Sequence, residues 1–208
     1  MNLKYGCWIF KDEVPVRLCN EILKLGKTLD AAQAQVGGSA PENIDKAKRD
    51  SKVTWFHDDA WVFELINPLV SKANKDAGWN FQYDFSESAQ FTHYKPGQYY
   101  GWHCDSWNEP YNKPGSKVHN KIRKLSSILM LSDKSEYTGG VLELDARQDD
   151  PEKSTGHEQL IYVNPQVIPL HQKGDLIIFP SFMWHRVTPV KSGTRYSLPM
   201  WYVGDPWK

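Results

Sequence analysis

Beyond Trp79 the apolar residues leave the helical period and keep to short alternating or continuous runs as far as Val203. Runs at Trp79–Phe85, Ala89–Tyr94, Gln98–His103, Leu125–Leu131, Val141–Leu144, Gln159–Val163, Val167–Leu170, Asp175–Phe179, His185–Val190 and Tyr196–Val203 are separated by Gly, Pro, Asn and Asp turns. That makes about eight to ten short strands with no helix between them. Strands in such number must hide their edges by closure or by stacking two antiparallel sheets. The expected fold is mainly β, a jelly roll (double-stranded β-helix) buttressed by N-terminal α-helices.

The first 78 residues supply that support. Leu3 to Phe10 reads as a short strand, and Val14-Pro15 opens a helix to about Gln35 on the stripe Leu18, Ile22, Leu25 and Leu29. Val36 to Lys52 is polar and reads as a surface loop. Asp58 or Asp59 is placed to cap a second helix through Trp61, Leu65, Leu69 and Ala73 to Gly78, with a kink expected at Pro68. A chain of 208 residues suits one domain, with residues 1–78 as helical support and 79–208 as the jelly-roll core.

Composition narrows the partners. Twenty-five basic and 25 acidic residues cancel, which argues against extended nucleic-acid binding. Cys7, Cys19 and Cys104 are odd in number and at no metal-finger spacing, as suits free thiols in a reducing compartment. No cleavable leader and no membrane-length apolar run is legible, so the expected location is cytoplasmic.

The chemistry concentrates at Tyr94 to Asp105. On a strand, residues two apart share a face, so His103 and Asp105 can reach one metal ion. His57-Asp58-Asp59 repeats the pattern, but an Asp just before an apolar helical repeat is better explained as a cap. A third ligand must come from His93, His119, His157, His171 or His185. His185 stands out for the segment on its C-terminal side. Strand 185–190, a turn at Lys191-Ser192-Gly193 and a returning strand would make a hairpin placing Arg195 opposite Pro189, on the face of His185 and roughly 13 Å from it at about 3.3 Å per residue. Two His and one carboxylate leave three positions open, the arrangement of non-haem Fe(II) oxygenases. An arginine one small-ligand length away presents a fork for the distal carboxylate of a 2-oxo acid. The polar connections Ser106–Asn120 and Ala146–Glu158 flank this region, and the first, leaving directly from Asp105, reads as a lid.

With these residues together, the chain resembles the Fe(II)/2-oxoglutarate-dependent oxygenases, and among them the prolyl 4-hydroxylase-like branch. The resemblance runs through Tyr94-x-x-Gly97-Gln98-x-Tyr100-x-x-His103-x-Asp105, Arg123-x-x-Ser126 before Leu129-Met130-Leu131, Gly139-Gly140, His185, Arg195 and Trp201, covering roughly Ala89 to Tyr202. It implies Fe(II), 2-oxoglutarate and O2 as cofactors, with ascorbate in support. It implies iron on His103, Asp105 and His185, and the co-substrate's C5 carboxylate on Arg195 with Tyr94 and Ser126. Tyr100, Trp102 and Arg123 match positions near the substrate, and Trp201, six residues after Arg195, is placed with Tyr94, Ser126 and Arg195 among the cofactor-binding residues, as wall rather than contact. The expected activity is hydroxylation of a peptide or protein, proline first, with 2-oxoglutarate converted to succinate. The same chemistry on a free amino acid or other small molecule is the alternative, with a non-catalytic jelly-roll binding module after it. The resemblance departs at Met130, where several relatives carry Tyr, and at Arg195, where collagen-type enzymes carry Lys.

Overall fold

The structure, a computed structural model, describes residues 3–35, 45–57, 59–107, 109–145, 166–168, 170 and 172–207. The expected strand at 159–163, the connection 146–158, His157, His171 and the alternative cap Asp58 lie outside them.

Fifteen strands and two α-helices are assigned among the described residues. The N-terminal part holds β1 (Trp8–Phe10), α1 (Val16–Thr28), β2 (Ala32–Gln33), β3 (Arg49–Asp50), β4 (Lys52–Phe56) and α2 (Ala60–Asp76). Next come β5 (Phe85–Ser86), β6 (Ala89–Tyr94), β7 (Tyr99–His103), β8 (Ile122–Met130), β9 (Tyr137–Gly139), β10 (Leu142–Asp145) and β11 (Gln166–Val167). The last are β12 (Leu176–Pro180), β13 (Trp184–Val187), β14 (Val190–Gly193) and β15 (Arg195–Gly204).

All pairings are antiparallel. A large sheet runs β1-β12-β8-β15-β6-β4-β2 with β5 on β15, a smaller one runs β11-β10-β13-β7-β3, and β14 pairs with β9. This is the expected jelly roll with helical support.

The large sheet is buried on both faces, which is why its strands read as nearly unbroken apolar runs. Leu125, Leu129, Leu176, Ile178, Leu198, Met200 and Tyr202 pack with Cys19 and Ile22 of α1 and Val62, Ile66 and Val70 of α2. Their neighbours Ile128, Met130, Ile177 and Phe179 face the other way, toward Leu142, Leu144 and Val187 of the smaller sheet. Each such side chain contributes roughly 1.5–3 kcal/mol when fully buried. The helices thus hold one face of the sheet and leave the other for the site.

Several boundaries differ from expectation. Helix α1 stops at Thr28, and Ala32–Gln33 pairs with β4 because Ala34 N–H donates to the Ser51 carbonyl (2.9 Å) and Gln33 Nε2 reaches Asp50 (3.1 Å). Trp79–Phe85 is not a continuous strand. Asn80 takes φ 51°, and the Asn74 side chain bonds both N–H and C=O of Phe81 (2.9 Å each), which uses the groups a ladder would need. Helix α2 continues across Pro68, and Asp59 stands at its N-cap without a side-chain capping bond. The hairpin expected at 185–201 does not form: β14 pairs with β9, and β15 pairs with β6, β8 and β5. Pro189 therefore has no partner in Arg195. The segment 190–193 leaves for a third, two-stranded sheet.

Candidate metal centre

Strands β7 and β13 are neighbours, and His103 stands directly opposite His185 in their register. Two residues beyond β7, the N–H groups of Asp105 and Ser106 both donate to the Ser181 carbonyl at 2.9 Å, tying this exit to the turn that leads into β13. The Asp105 carboxylate then lies 3.7 Å (Oδ1) from His103 Nε2 and 3.4 Å (Oδ2) from His185 Nε2. All three residues are buried, and their ligand atoms fall within 4.8 Å of one another. His57, the other half of the competing pattern, is exposed and bonds Ser88 Oγ at 2.8 Å.

Both imidazoles are oriented in the same way. His103 Nδ1 lies 2.8 Å from the Gly101 carbonyl and His185 Nδ1 lies 2.9 Å from the Met183 carbonyl. A carbonyl only accepts, so each Nδ1 carries the hydrogen and each Nε2 lone pair faces the cluster. Burial holds the His103 pKa well below the ordinary histidine value, and the charge of His185 pushes in the same direction. Burial alone would raise the Asp105 carboxyl. The attraction of His185 and His103, then Arg123 and the Trp201 indole, outweighs it and holds the carboxyl below the usual range. A His103 imidazole held toward its neutral form and an ionised Asp105 carboxylate are states that bind a metal.

The register of the large sheet brings further residues to this face. Trp201 stands opposite Ser126, Ser197 opposite Met130, and Arg195 opposite Tyr94. Ser126 Oγ donates to Asp105 Oδ2 at 2.7 Å and lies 2.9 Å from Ser181 Oγ, so its hydroxyl is committed to the metal carboxylate rather than turned to Arg195. The buried Trp201 indole N–H has no partner of full hydrogen-bond geometry, yet lies near enough to Asp105 to favour its charge.

Arg195 is 1% exposed, with Nη1 donating to Ser197 Oγ (2.9 Å), Nη2 to the Met130 thioether (3.4 Å) and Nε to nothing. No carboxylate among the described residues pairs with it. Its guanidinium carbon lies 5.6 Å from the centre of the buried Tyr94 ring. The Nε–Nη2 edge is the one with which Arg123 grips Glu87, and at Arg195 it meets only a soft sulfur. Such an edge fits a carboxylate.

Tyr100 and His103 are three apart yet share a face. The β7–β13 ladder shifts register between His185 and Val187, so an extra β7 residue turns Tyr100 onto His103, with ring centres 3.5 Å apart and planes at 11°. Burial pushes the Tyr100 phenol up to about 12. Trp102 is buried, with the Arg186 guanidinium 4.7 Å from its ring centre. Arg123 is clamped: Nε and Nη2 bond the two Glu87 oxygens at 3.0 and 2.6 Å, Tyr111 donates to the same carboxylate at 2.9 Å, and the Trp201 and Trp107 rings lie 3.9 and 5.5 Å away. The described part of the Ser106–Asn120 connection is thus fastened to the site's edge through Tyr111 and Trp107.

Glu87, Ser181 and Ser197 were not expected here. Glu87 sits 36 residues from Arg123 with no motif around it. The only sequence sign for Ser197 was its place two residues after Arg195 on a strand, hence on the same face.

Comparison with known proteins agrees with this geometry. Residues 89–203 match the family model described as the 2OG-Fe(II) oxygenase superfamily. A PKHD-type hydroxylase of Synechococcus elongatus is 32% identical over 124 residues, 58% of this chain and 46% of that protein. One from Delftia acidovorans is 32% identical over 113 residues, 54% of this chain and 41% of that protein. The chain thus spans less than half the length of these curated relatives. Among solved structures, a Pseudomonas putida prolyl-4-hydroxylase superposes with TM-score 0.67 at 16% identity, covering 96% of this chain and 93% of that one. A Trichoplax adhaerens prolyl hydroxylase in complex with a hypoxia inducible factor peptide fragment gives 0.66 at 19% identity, over 96% and 84%. These likenesses show the fold.

Proposed function

This chain belongs to the 2OG-Fe(II) oxygenase superfamily, and we propose that it is an iron- and 2-oxoglutarate-dependent hydroxylase acting on a peptidyl substrate, proline first. The observation that carries the chemistry is the pairing of a buried His103–Asp105–His185 cluster with an Arg195 fork that has no carboxylate partner among the described residues. Iron held by His103, Asp105 and His185 would supply the chemistry that couples decarboxylation of a 2-oxo acid by O2 to hydroxylation of the substrate.

The chain's own residues divide the remaining work. His103 and His185 present Nε2, and Asp105 presents a carboxylate steadied by Ser126. Arg195, held by Ser197, takes the far carboxylate of 2-oxoglutarate, and Tyr94 lines the same end. Tyr100, Trp201 and the Arg123–Glu87 pair wall the approach to the metal; Trp107, against Arg123, and Trp55, with its ring centre 6.1 Å from that of Trp201, extend that wall into solvent, 41% and 38% exposed. Flat amphipathic rings of this kind suit an extended peptide that offers rings and backbone amides. The names of the relatives, hydroxylases and prolyl hydroxylases, support the same substrate class.

The test loads the protein anaerobically with Fe(II) and 2-oxoglutarate, admits O2, and measures succinate with and without a library of proline-containing peptides. Peptide-stimulated succinate with hydroxyproline in the product is expected. Metal-independent succinate, or full activity in His103→Ala, overturns the oxygenase reading. Turnover stimulated only by free amino acids overturns the peptidyl one.

A further inference from the structure

Arg49 of β3 stands opposite Tyr100 of β7 and is buried, 7% exposed. Its donors are spent on neutral groups: Nε on Ser51 Oγ (3.0 Å), Nη1 on the Gln35 carbonyl (3.2 Å) and Nη2 on Gln90 Oε1 (2.8 Å). No carboxylate among the described residues pairs with it. Asp50, the next residue, gives Oδ1 to the side-chain amides of Gln33 (3.1 Å) and Gln98 (3.0 Å). The other arginines around the site outside the co-substrate pocket are balanced, Arg123 by Glu87 and Arg186 by Glu143, each at 2.6 Å.

This guanidinium is also stacked. Its central carbon lies 4.5 Å from the centre of the Tyr100 ring, whose other neighbour is the His103 ring at 3.5 Å and 11°. Cation, phenol and ligand imidazole form one column ending at the metal cluster. Burying a charge without a counter-charge costs folding stability, and an apolar side chain of similar size would avoid that cost. The same low-dielectric surroundings let the charge act at a distance that water would screen.

We propose that Arg49 is a positioning residue that tunes the iron of this site. Its charge, which has no carboxylate partner among the described residues, acts across the Tyr100–His103 stack, raises the Fe(III)/Fe(II) reduction potential and keeps resting iron ferrous. Loss of an electron from iron adds a positive charge, which the nearby guanidinium opposes. The stack also holds the His103 ring plane. The inference rests on the assignment of iron to the His103–Asp105–His185 cluster.

The test compares wild type, Arg49→Gln, Arg49→Lys and Ser51→Asp as full-length proteins loaded anaerobically with iron. The potential is read by a mediated redox titration tracking the ferric EPR signal. The rate of ferrous oxidation in air is read without 2-oxoglutarate. Arg49→Gln is expected to lower the potential and to oxidise several-fold faster, while Arg49→Lys stays near wild type. Ser51→Asp keeps the guanidinium but gives it a counter-charge, so it should behave like Arg49→Gln and serves if that variant fails to fold. Unchanged potentials in the folded, charge-neutralised variant that binds one iron overturn the proposal, as does Arg49→Lys behaving like Arg49→Gln. Failure of wild type to bind one ferrous ion overturns the iron reading instead.

Discussion

Ser126 donates its hydroxyl hydrogen to Asp105 Oδ2 at 2.7 Å, from a β8 position that faces Trp201 across the ladder. This bond fixes one carboxylate oxygen while the other points toward His103. Outer partners of this kind are typically worth ten- to a hundredfold in metal affinity. Ser126→Ala is therefore expected to weaken Fe(II) binding by about tenfold or more, with the 2-oxoglutarate requirement unchanged once iron is saturating. An anaerobic metal titration beside a 2-oxoglutarate titration separates the two. A raised co-substrate requirement with intact iron affinity would instead return Ser126 to the Arg195 pocket.

Arg195 makes the opposite prediction. Its charge is buried, its Nε is unsatisfied, and its Nη2 faces only the Met130 sulfur. Replacing a buried charge that lacks its partner by an apolar side chain is often neutral or stabilising. Arg195→Met should accordingly melt no lower than wild type without ligands. What it loses is the stabilisation that 2-oxoglutarate confers in the presence of a redox-inert divalent metal, about 2.7 kcal/mol at a hundred times Kd. A large drop in the unliganded melting temperature would mean that the guanidinium holds the fold.

These two residues mark how far the sequence could be read. His103 and Asp105 are legible as a pair because a strand's period of two is a short-range signal, and the jelly roll because runs without helices leave few architectures, whereas His185 is singled out only through the resemblance and a hairpin that does not form. Arg195 was assigned to the pocket through a hairpin with Pro189, but it lies beside Tyr94 through β6, a pairing across about a hundred residues that no local spacing encodes. The commitment of Ser126 to Asp105 and the Glu87 clamp on Arg123 depend on the same non-local register. So does Tyr100, which reaches His103 only through a bulge that breaks the strict period of two.

Gly140 lies against Arg195, the residue proposed to hold the co-substrate, at φ 56°, where an added Cβ would come within 2.9 Å of Val190 Cγ2 and 3.0 Å of Arg195 Cδ. Gly140→Ala thus meets both a left-handed backbone and a crowded contact, at a cost of about 1–3 kcal/mol. The contact with Arg195 predicts a second effect, a raised KM for 2-oxoglutarate. Thermal melting and steady-state kinetics check the two together. A destabilised variant with an unchanged KM would show that Val190 alone absorbs the clash.

Glu87 gives the sharpest coupling test. Its carboxylate receives Arg123 in a two-pronged grip and the Tyr111 hydroxyl besides, and the pair is nearly enclosed, with side chains 12% and 14% exposed. Burial disfavours the Arg123 charge, and Glu87 is the main group that restores it. Removing one partner of such a pair leaves the other charged and unpaired, a loss of about 3–5 kcal/mol. Glu87→Gln is therefore expected to destabilise strongly and to release Tyr111 and the loop that carries it. Arg123 would then have Asp105 as its remaining negative neighbour, so iron affinity should fall as well. Pairing Glu87→Met with Arg123→Met removes both charges and should recover most of the lost stability while leaving peptide turnover impaired. A double variant no more stable than Glu87→Gln would mean that the Trp201 and Trp107 packing around Arg123, rather than its ion pair, holds this edge of the site.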